Sequence, residues 1–320
     1  MRGKGEPALM EYSYKDTRGP SAWYKMKTRP KHLPPQKLQY LDEIVAAIRQ
    51  RPGVEMIILF GSHARGDWVE DEYEEDHVTY EYRSDFDILI VTADKSAERN
   101  ITYDTDLKHQ LEPGGRGSRV SYIAHTIHHV NQMLAERRFF FMDILKEGYL
   151  LFDSKRYKLA RPPKALPAAI RLRHAKDYFE EWMGSADGFL KMARNAMGES
   201  EWKIAAFLLH QATERYITCL LLVHTGYRPK EHDMEKLIHQ AAGFDPRFQE
   251  VFPQQDENDK RLFDLLRRAY VDARYSKSYR ISESELHAIN TQIVALKTIT
   301  GEVCQTRIAQ LASPDQHEEA

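Results

Sequence analysis

Cysteine, net charge and long apolar runs are what this 320-residue chain has least of. The only two cysteines, Cys219 and Cys304, exclude a disulfide scaffold and a zinc site built from thiolates. Cys219 sits in an apolar helical run and reads as a packed core thiol. Unbroken apolar stretches, such as Met56 to Phe60 and Cys219 to Val223, fall far short of the roughly 18 residues that span a bilayer, so no membrane segment is expected. The amino terminus carries both charge signs and lacks an apolar block with a small-residue cleavage site. No signal peptide is expected there, and the cytoplasm is the default compartment. Lys and Arg number 46 against 48 Asp and Glu, a net charge of −2, which argues against coating nucleic acid or an anionic membrane by bulk positive charge. A local basic patch stays open.

What is present suffices for a folded, soluble protein: 42% of residues are hydrophobic, 11% aromatic and 29% charged, and the length points to two domains. Residues 1–35 mix Gly, Pro, Lys and Tyr without a period and read as an extended or disordered arm. Residues 36–160 alternate helix and strand: a helix from Lys37 to Gln50, strands at Met56–Phe60, Phe86–Val91 and Arg119–Ile127, and a helix from Val130 to Lys146 closed by Gly148. Three prolines within 161–167 mark a linker. Beyond it, 168–311 carries helical periodicity at Ala168–Lys191, Glu201–Thr225, Lys260–Tyr275 and Ser282–Gln310, with Gly226 as a C-terminal cap, so an all-helical bundle is expected. Residues 312–320 form a polar tail, expected to be disordered.

Chemistry concentrates between Leu59 and Ile90. A Gly-Ser pair, Gly61 and Ser62, directly follows a buried strand, and a turn of helix behind it presents free N–H groups and a hydroxyl that can hold a phosphate. Asp85 and Asp87 stand two residues apart on the next strand, so both carboxylates face one side, about 7 Å apart along the backbone. Such a pair suits Mg²⁺, which prefers oxygen ligands and completes its shell with substrate phosphates. Carboxylates beside so apolar a run are costly unless something pairs with them.

The pattern Gly-Ser-x-Ala-Arg-Gly at 61–66 with Ser-Asp-x-Asp-Ile-Leu at 84–89 resembles the minimal nucleotidyltransferases of the DNA polymerase β superfamily, over roughly residues 38–152. That resemblance implies an α/β fold in which Gly61 and Ser62, with Arg65 and Ser84, bind the triphosphate. It further implies that Asp85 and Asp87 hold Mg²⁺ or Mn²⁺ while a hydroxyl attacks the α-phosphate of an NTP, with ATP the expected donor. Two departures stand out. The segment from Gly66 to Ser84 is longer than the usual link and carries Glu70, Asp71, Glu72, Glu74, Glu75, Asp76 and Glu81, which read as a solvated acidic hairpin. A third acid is often found on a later strand of the family, yet no Asp or Glu occurs from Gly117 to Ala135, where Ser121 or His125 is the nearest substitute. His125, His128 and His129 read as surface or cap residues rather than a zinc cluster.

The second half resembles the HEPN domain over roughly residues 168–310, in the segments Phe207 to Arg215, Thr225 to Asp233 and Tyr270 to Tyr279. His210 and Glu214, four apart, share a helix face. Ribonuclease members of that family follow an Arg with a His four to six residues later; here Arg274 is followed by Tyr279. A phenol, with an ordinary pKa of about 10, is a poor base at neutral pH, so RNA cleavage is not favoured. In related systems a nucleotidyltransferase silences a HEPN toxin by adding AMP to a tyrosine near this motif, which makes Tyr275 or Tyr279 a candidate self-acceptor. The expectation is therefore transfer of a nucleoside monophosphate to a hydroxyl of a protein or small molecule, by a homodimer paired through its HEPN domain. A catalytically reduced nucleotide-binding regulator of toxin-antitoxin type and an aminoglycoside nucleotidyltransferase are the alternatives.

Overall fold

The computed structural model describes residues 25–75, 78–112, 118–229 and 233–313, with the strands inside 71–83 described by their backbone. The arm up to residue 24, the tail from 314 and the acidic side chains of 71–83 lie outside the described residues. The chain divides into two compact units, Met1–Pro163 and Lys164–Ala320.

The first unit runs α1 (Pro35–Arg49), β1 (Val54–Phe60), α2 (Gly61–Arg65), β2 (Glu70–Glu75), β3 (Val78–Arg83), β4 (Phe86–Thr92), α3 (Lys95–Thr102), α4 (Thr105–Gln110), β5 (Val120–Thr126), α5 (Ile127–Ala135), α6 (Phe139–Glu147) and β6 (Tyr149–Asp153). Four strands make one sheet in the order β5-β4-β1-β6, while β2 and β3 form a separate antiparallel pair. β4 is parallel to β5 and antiparallel to β1, which is antiparallel to β6. Both faces are covered, which is why β1 and β4 read as continuous apolar runs. Ile57, Leu59, Phe86, Ile88 and Ile90 pack under α1, α3 and α4. Met56, Ile58, Leu89 and Val91 pack under α5 and α6. The lead-in before α1 joins this core through buried Met26 and Leu33, and Lys27 bridges to Tyr149.

One helix was expected over Val130–Lys146, and the chain forms two, because Arg137 adopts a left-handed φ of +53° between α5 and α6.

The second unit comprises α7 (Ala168–Gly198), α8 (Trp202–Thr225), α9 (Met234–Ala242), α10 (Arg247–Glu250), α11 (Glu257–Arg268), α12 (Asp272–Tyr275) and α13 (Glu283–Ala312). α7, α8 and α13 are the long members, and α8 runs through the centre with fully buried Leu209, Tyr216, Ile217 and Leu220. Gly226, at φ +67°, ends α8 in the left-handed conformation that costs glycine least. A capping box between Ser282 and Glu285 starts α13. Cys219 and Cys304 are both buried, as free thiols. The single helix expected over Lys260–Tyr275 is broken between α11 and α12. Side chains stabilise the break: the Arg274 Nε donates to the Tyr270 carbonyl at 2.6 Å, and Arg268 pairs with Asp272 at 2.7 Å.

Candidate functional site

β1 carries six consecutive buried residues and delivers its last, Phe60, to the sheet rim. There the chain must turn sharply into α2, and Gly61 does so at φ +74°. A Cβ on Gly61 would lie 2.0 Å from Asp87 Oδ2, so only glycine lets this turn approach the carboxylate. The short α2 cannot satisfy its own first N–H groups. Gly66 closes it in the left-handed region, its N–H bonded to the Ser62 carbonyl at 2.9 Å.

Phe60 is the direct antiparallel partner of Asp87, and Ser121 of β5 is its parallel partner, so the three side chains share one sheet face. Ser121 therefore occupies the neighbouring strand position beside the carboxylates. His125, the other candidate, pairs with Val91 toward the far end of β4, where it meets Glu98 at 3.9 Å and the His129 ring, tilted against it, at 4.7 Å. On the Asp87 face Phe60 also meets Phe140 of α6 edge-on at 5.6 Å, and Phe140 remains 36% exposed.

Burial raises the Asp87 pKa to about 6, the charge of Asp85 pushes the same way, and Arg65 pulls weakly back. Asp87 on β4 and Asp85, the residue just before that strand, are a donor pair of the kind that suits a hard divalent cation. Among the described residues no group of three or more His, Cys, Asp and Glu is placed to hold a metal ion. The pair would thus take its remaining ligands from substrate phosphate and water, as Mg²⁺ commonly does. Arg65 bonds to Asp67 at 2.9 Å and reaches Glu147 at 4.0 Å. Ser84 clasps the base of the β2–β3 pair: its Oγ accepts from the Val69 N–H at 3.0 Å, and its own N–H donates to the Val69 carbonyl at 2.9 Å.

His63 fills the x position of the Gly-Ser-x-Ala-Arg-Gly motif, where spacing alone assigns it no role. In the structure its ring is fully buried, stacked on Phe86 at 4.0 Å and on Trp68 at 5.7 Å. Burial holds its pKa below the usual imidazole value, against the hydrogen bond it shares with Asp85. A histidine at the x position of Gly-Ser-x-Ala-Arg-Gly, with aromatic residues at 68 and 86, is the signal that was there to be read.

In the helical unit the residues of interest separate. Arg274 lays its guanidinium over Phe207, Tyr270 and Tyr275 at 5.0, 4.6 and 4.9 Å. Tyr275 is 61% exposed beside it. Tyr279 is only 1% exposed, donates its hydroxyl to the Leu265 carbonyl at 2.9 Å, and has its pKa pushed further up by burial. That side chain packs in the core and offers neither a base nor an accessible acceptor. His210 is buried with Nδ1 3.0 Å from the Leu266 carbonyl and its ring beside Tyr270. Glu214 lies 3.9 Å from both His210 and Arg228.

Residues 179–293 match the family model of the HEPN domain. This span runs from α7 into α13 and includes His210, Glu214 and the Arg274 segment. No curated protein matches the chain. Among solved structures, a nucleotidyltransferase-like protein from Exiguobacterium sibiricum aligns with 15% identity and a TM-score of 0.38, covering 85% of this chain and 78% of that one. The two-part plan read from the sequence is the one found: an α/β unit bearing the Gly-Ser and Asp-x-Asp elements, then a helical unit that contains a HEPN domain.

Proposed function

We propose that the α/β unit is a nucleotidyltransferase that moves a nucleoside monophosphate from an NTP, ATP by preference, to a hydroxyl. The observation that supports this is the approach of the Gly61 turn to the Asp87 carboxylate, since a turn with free N–H groups beside a carboxylate is an arrangement that would suit a metal-bound phosphate. In this reading Ser62 and the first N–H groups of α2 hold the triphosphate, and Arg65 adds positive charge nearby. Asp85 and Asp87 hold Mg²⁺ or Mn²⁺, which when bound polarises the α-phosphate and favours the attacking hydroxyl as its alkoxide. Phe60 and Phe140 offer an apolar edge to the same side of the sheet.

The helical unit supports an acceptor role. Tyr275, exposed beside Arg274, is the side chain we assign as self-acceptor, in a regulatory scheme of toxin-antitoxin type. Incubation of the purified chain with α-labelled NTPs and Mg²⁺ or Mn²⁺ tests the reading. Label on protein that is lost in Asp85→Asn with Asp87→Asn, and in Tyr275→Phe, is the expected result. No label transfer and no pyrophosphate from any of the four NTPs, with protein, small-molecule hydroxyls or cationic aminoglycosides as acceptors, would remove the enzymatic function.

A second reading is favoured by Ser121. A neutral hydroxyl stands beside Asp87 where a third carboxylate would serve as ligand or base, so the site would bind nucleotide without turnover. Calorimetric saturation by Mg-ATP without product over hours selects this reading, and repeated turnover excludes it.

A further inference from the structure

His63 connects the two halves of the candidate site through its ring. The Lys37 Nζ lies 3.4 Å from Nε2, and an ammonium has only hydrogens to offer, so Nε2 accepts. The ring proton is then on Nδ1, which donates to the Asp85 backbone carbonyl at 2.9 Å. Lys37 is itself held by Glu70 and by Ser118 Oγ. The His63 carbonyl accepts from His32 Nε2 at 2.8 Å, which ties the lead-in to the same turn. Phe86 and Trp68 stack on the imidazole at 4.0 and 5.7 Å and hold its plane.

We propose that His63 is a positioning residue for the carboxylate pair: its Nδ1–H fixes the Asp85 backbone, and so the spacing of Asp85 and Asp87, relative to the Gly61–Arg65 turn. The inference rests on the reading that these carboxylates hold a divalent cation. Its physical basis is the one by which partners behind a ligand set that ligand's geometry: a carboxylate whose backbone can drift presents its oxygens in many arrangements, and the metal then bears the cost of ordering them.

Titration of the full chain with Mn²⁺ alone, followed by electron paramagnetic resonance, tests this without reference to turnover. His63→Phe keeps an aromatic ring between Phe86 and Trp68 but has no N–H, and it should lose roughly 10- to 100-fold in Mn²⁺ affinity. His63→Asn, whose amide can stand near the Nδ1 position, should recover most of that loss. Thermal melts establish that each variant is folded. Should His63→Phe not fold, His63→Leu against His63→Asn makes the same comparison. Unchanged affinity in folded His63→Phe, while Asp87→Asn abolishes binding, overturns the positioning role and leaves the metal reading standing. Equal losses in the Phe and Asn variants also overturn it, because restoring an N–H donor would then restore nothing. No saturable Mn²⁺ binding by the wild type overturns both.

Discussion

Replacing Asp87 by Asn should stabilise the protein while destroying its candidate site. Burial and the neighbouring Asp85 raise the Asp87 pKa from 3.8 to about 6. A carboxyl whose folded pKa lies above its unfolded value favours the folded state when protonated. That benefit is complete below the unfolded pKa and is lost as pH rises through the folded one, so at neutral pH the charged form is a liability. The difference of 6 − 3.8, or 2.2, corresponds to about 3 kcal/mol at about 1.4 kcal/mol per unit. Asp87 is partly accessible, and solvent screening reduces this to about 2 kcal/mol. Asn has the shape of the protonated acid and carries no charge. In EDTA near pH 8 the variant should therefore gain about 2 kcal/mol, or roughly 4–8 °C in the melting temperature of the α/β unit. Near pH 4 most of the gain should vanish, since the wild-type carboxyl is then neutral in the fold. Calorimetric scans of both proteins across this range, with and without Mg²⁺, check the argument; Mg²⁺ should raise the wild type selectively. A gain of the same size at both pH values, or none near pH 8, would refute the account of Asp87 as a carboxylate strained by burial and a like charge.

Three further outcomes follow from the same geometry. Gly61→Ala places a Cβ against Asp87 Oδ2 at a φ of +74°, so it should cost at least about 1–2 kcal/mol and abolish nucleotide binding; calorimetry with Mg-ATP reads both effects. Tyr279→Phe removes the hydroxyl that satisfies the Leu265 carbonyl and should cost about 1–2 kcal/mol in urea unfolding while leaving any label transfer intact. RNA incubated with the protein in EDTA should stay whole, since the residue five positions after Arg274 is a buried phenol; cleavage that disappears in Arg274→Ala would contradict this.

How much of the site was legible depended on the kind of interaction. Gly61, Ser62, Asp85 and Asp87 stood out because glycine beside a buried strand and paired acids in an apolar run are locally improbable without a function. Their nearness to each other is also nearly local, since β1 and β4 are adjacent strands and Phe60 meets Asp87 in register. Ser121 could not be chosen over His125 from sequence, because both lie on β5 with the same parity, and only the parallel register with β4 decides which one stands beside Asp87. Likewise, Tyr275 and Tyr279 are alike as letters. α12 ends at Tyr275 and the chain turns extended at Ser276, with the first tyrosine exposed and the second in the core.

Periodicity, punctuation and composition by themselves determined the two-part plan, the position of the Pro-rich border region, the helical character of the second half and the placing of Asp87 on β4 with Asp85 just before it. These are properties of short windows, where backbone propensity and one apolar face suffice. Tertiary structure alone decided the breaks at Arg137 and after Arg268, the pairing of Ser121 with Asp87, and the burial of His63 between Phe86 and Trp68 with its proton directed at Asp85. The Ser121 pairing and the His63 contacts join residues far apart in the chain, and their energy comes from desolvation and hydrogen bonds that exist only once the layers have packed.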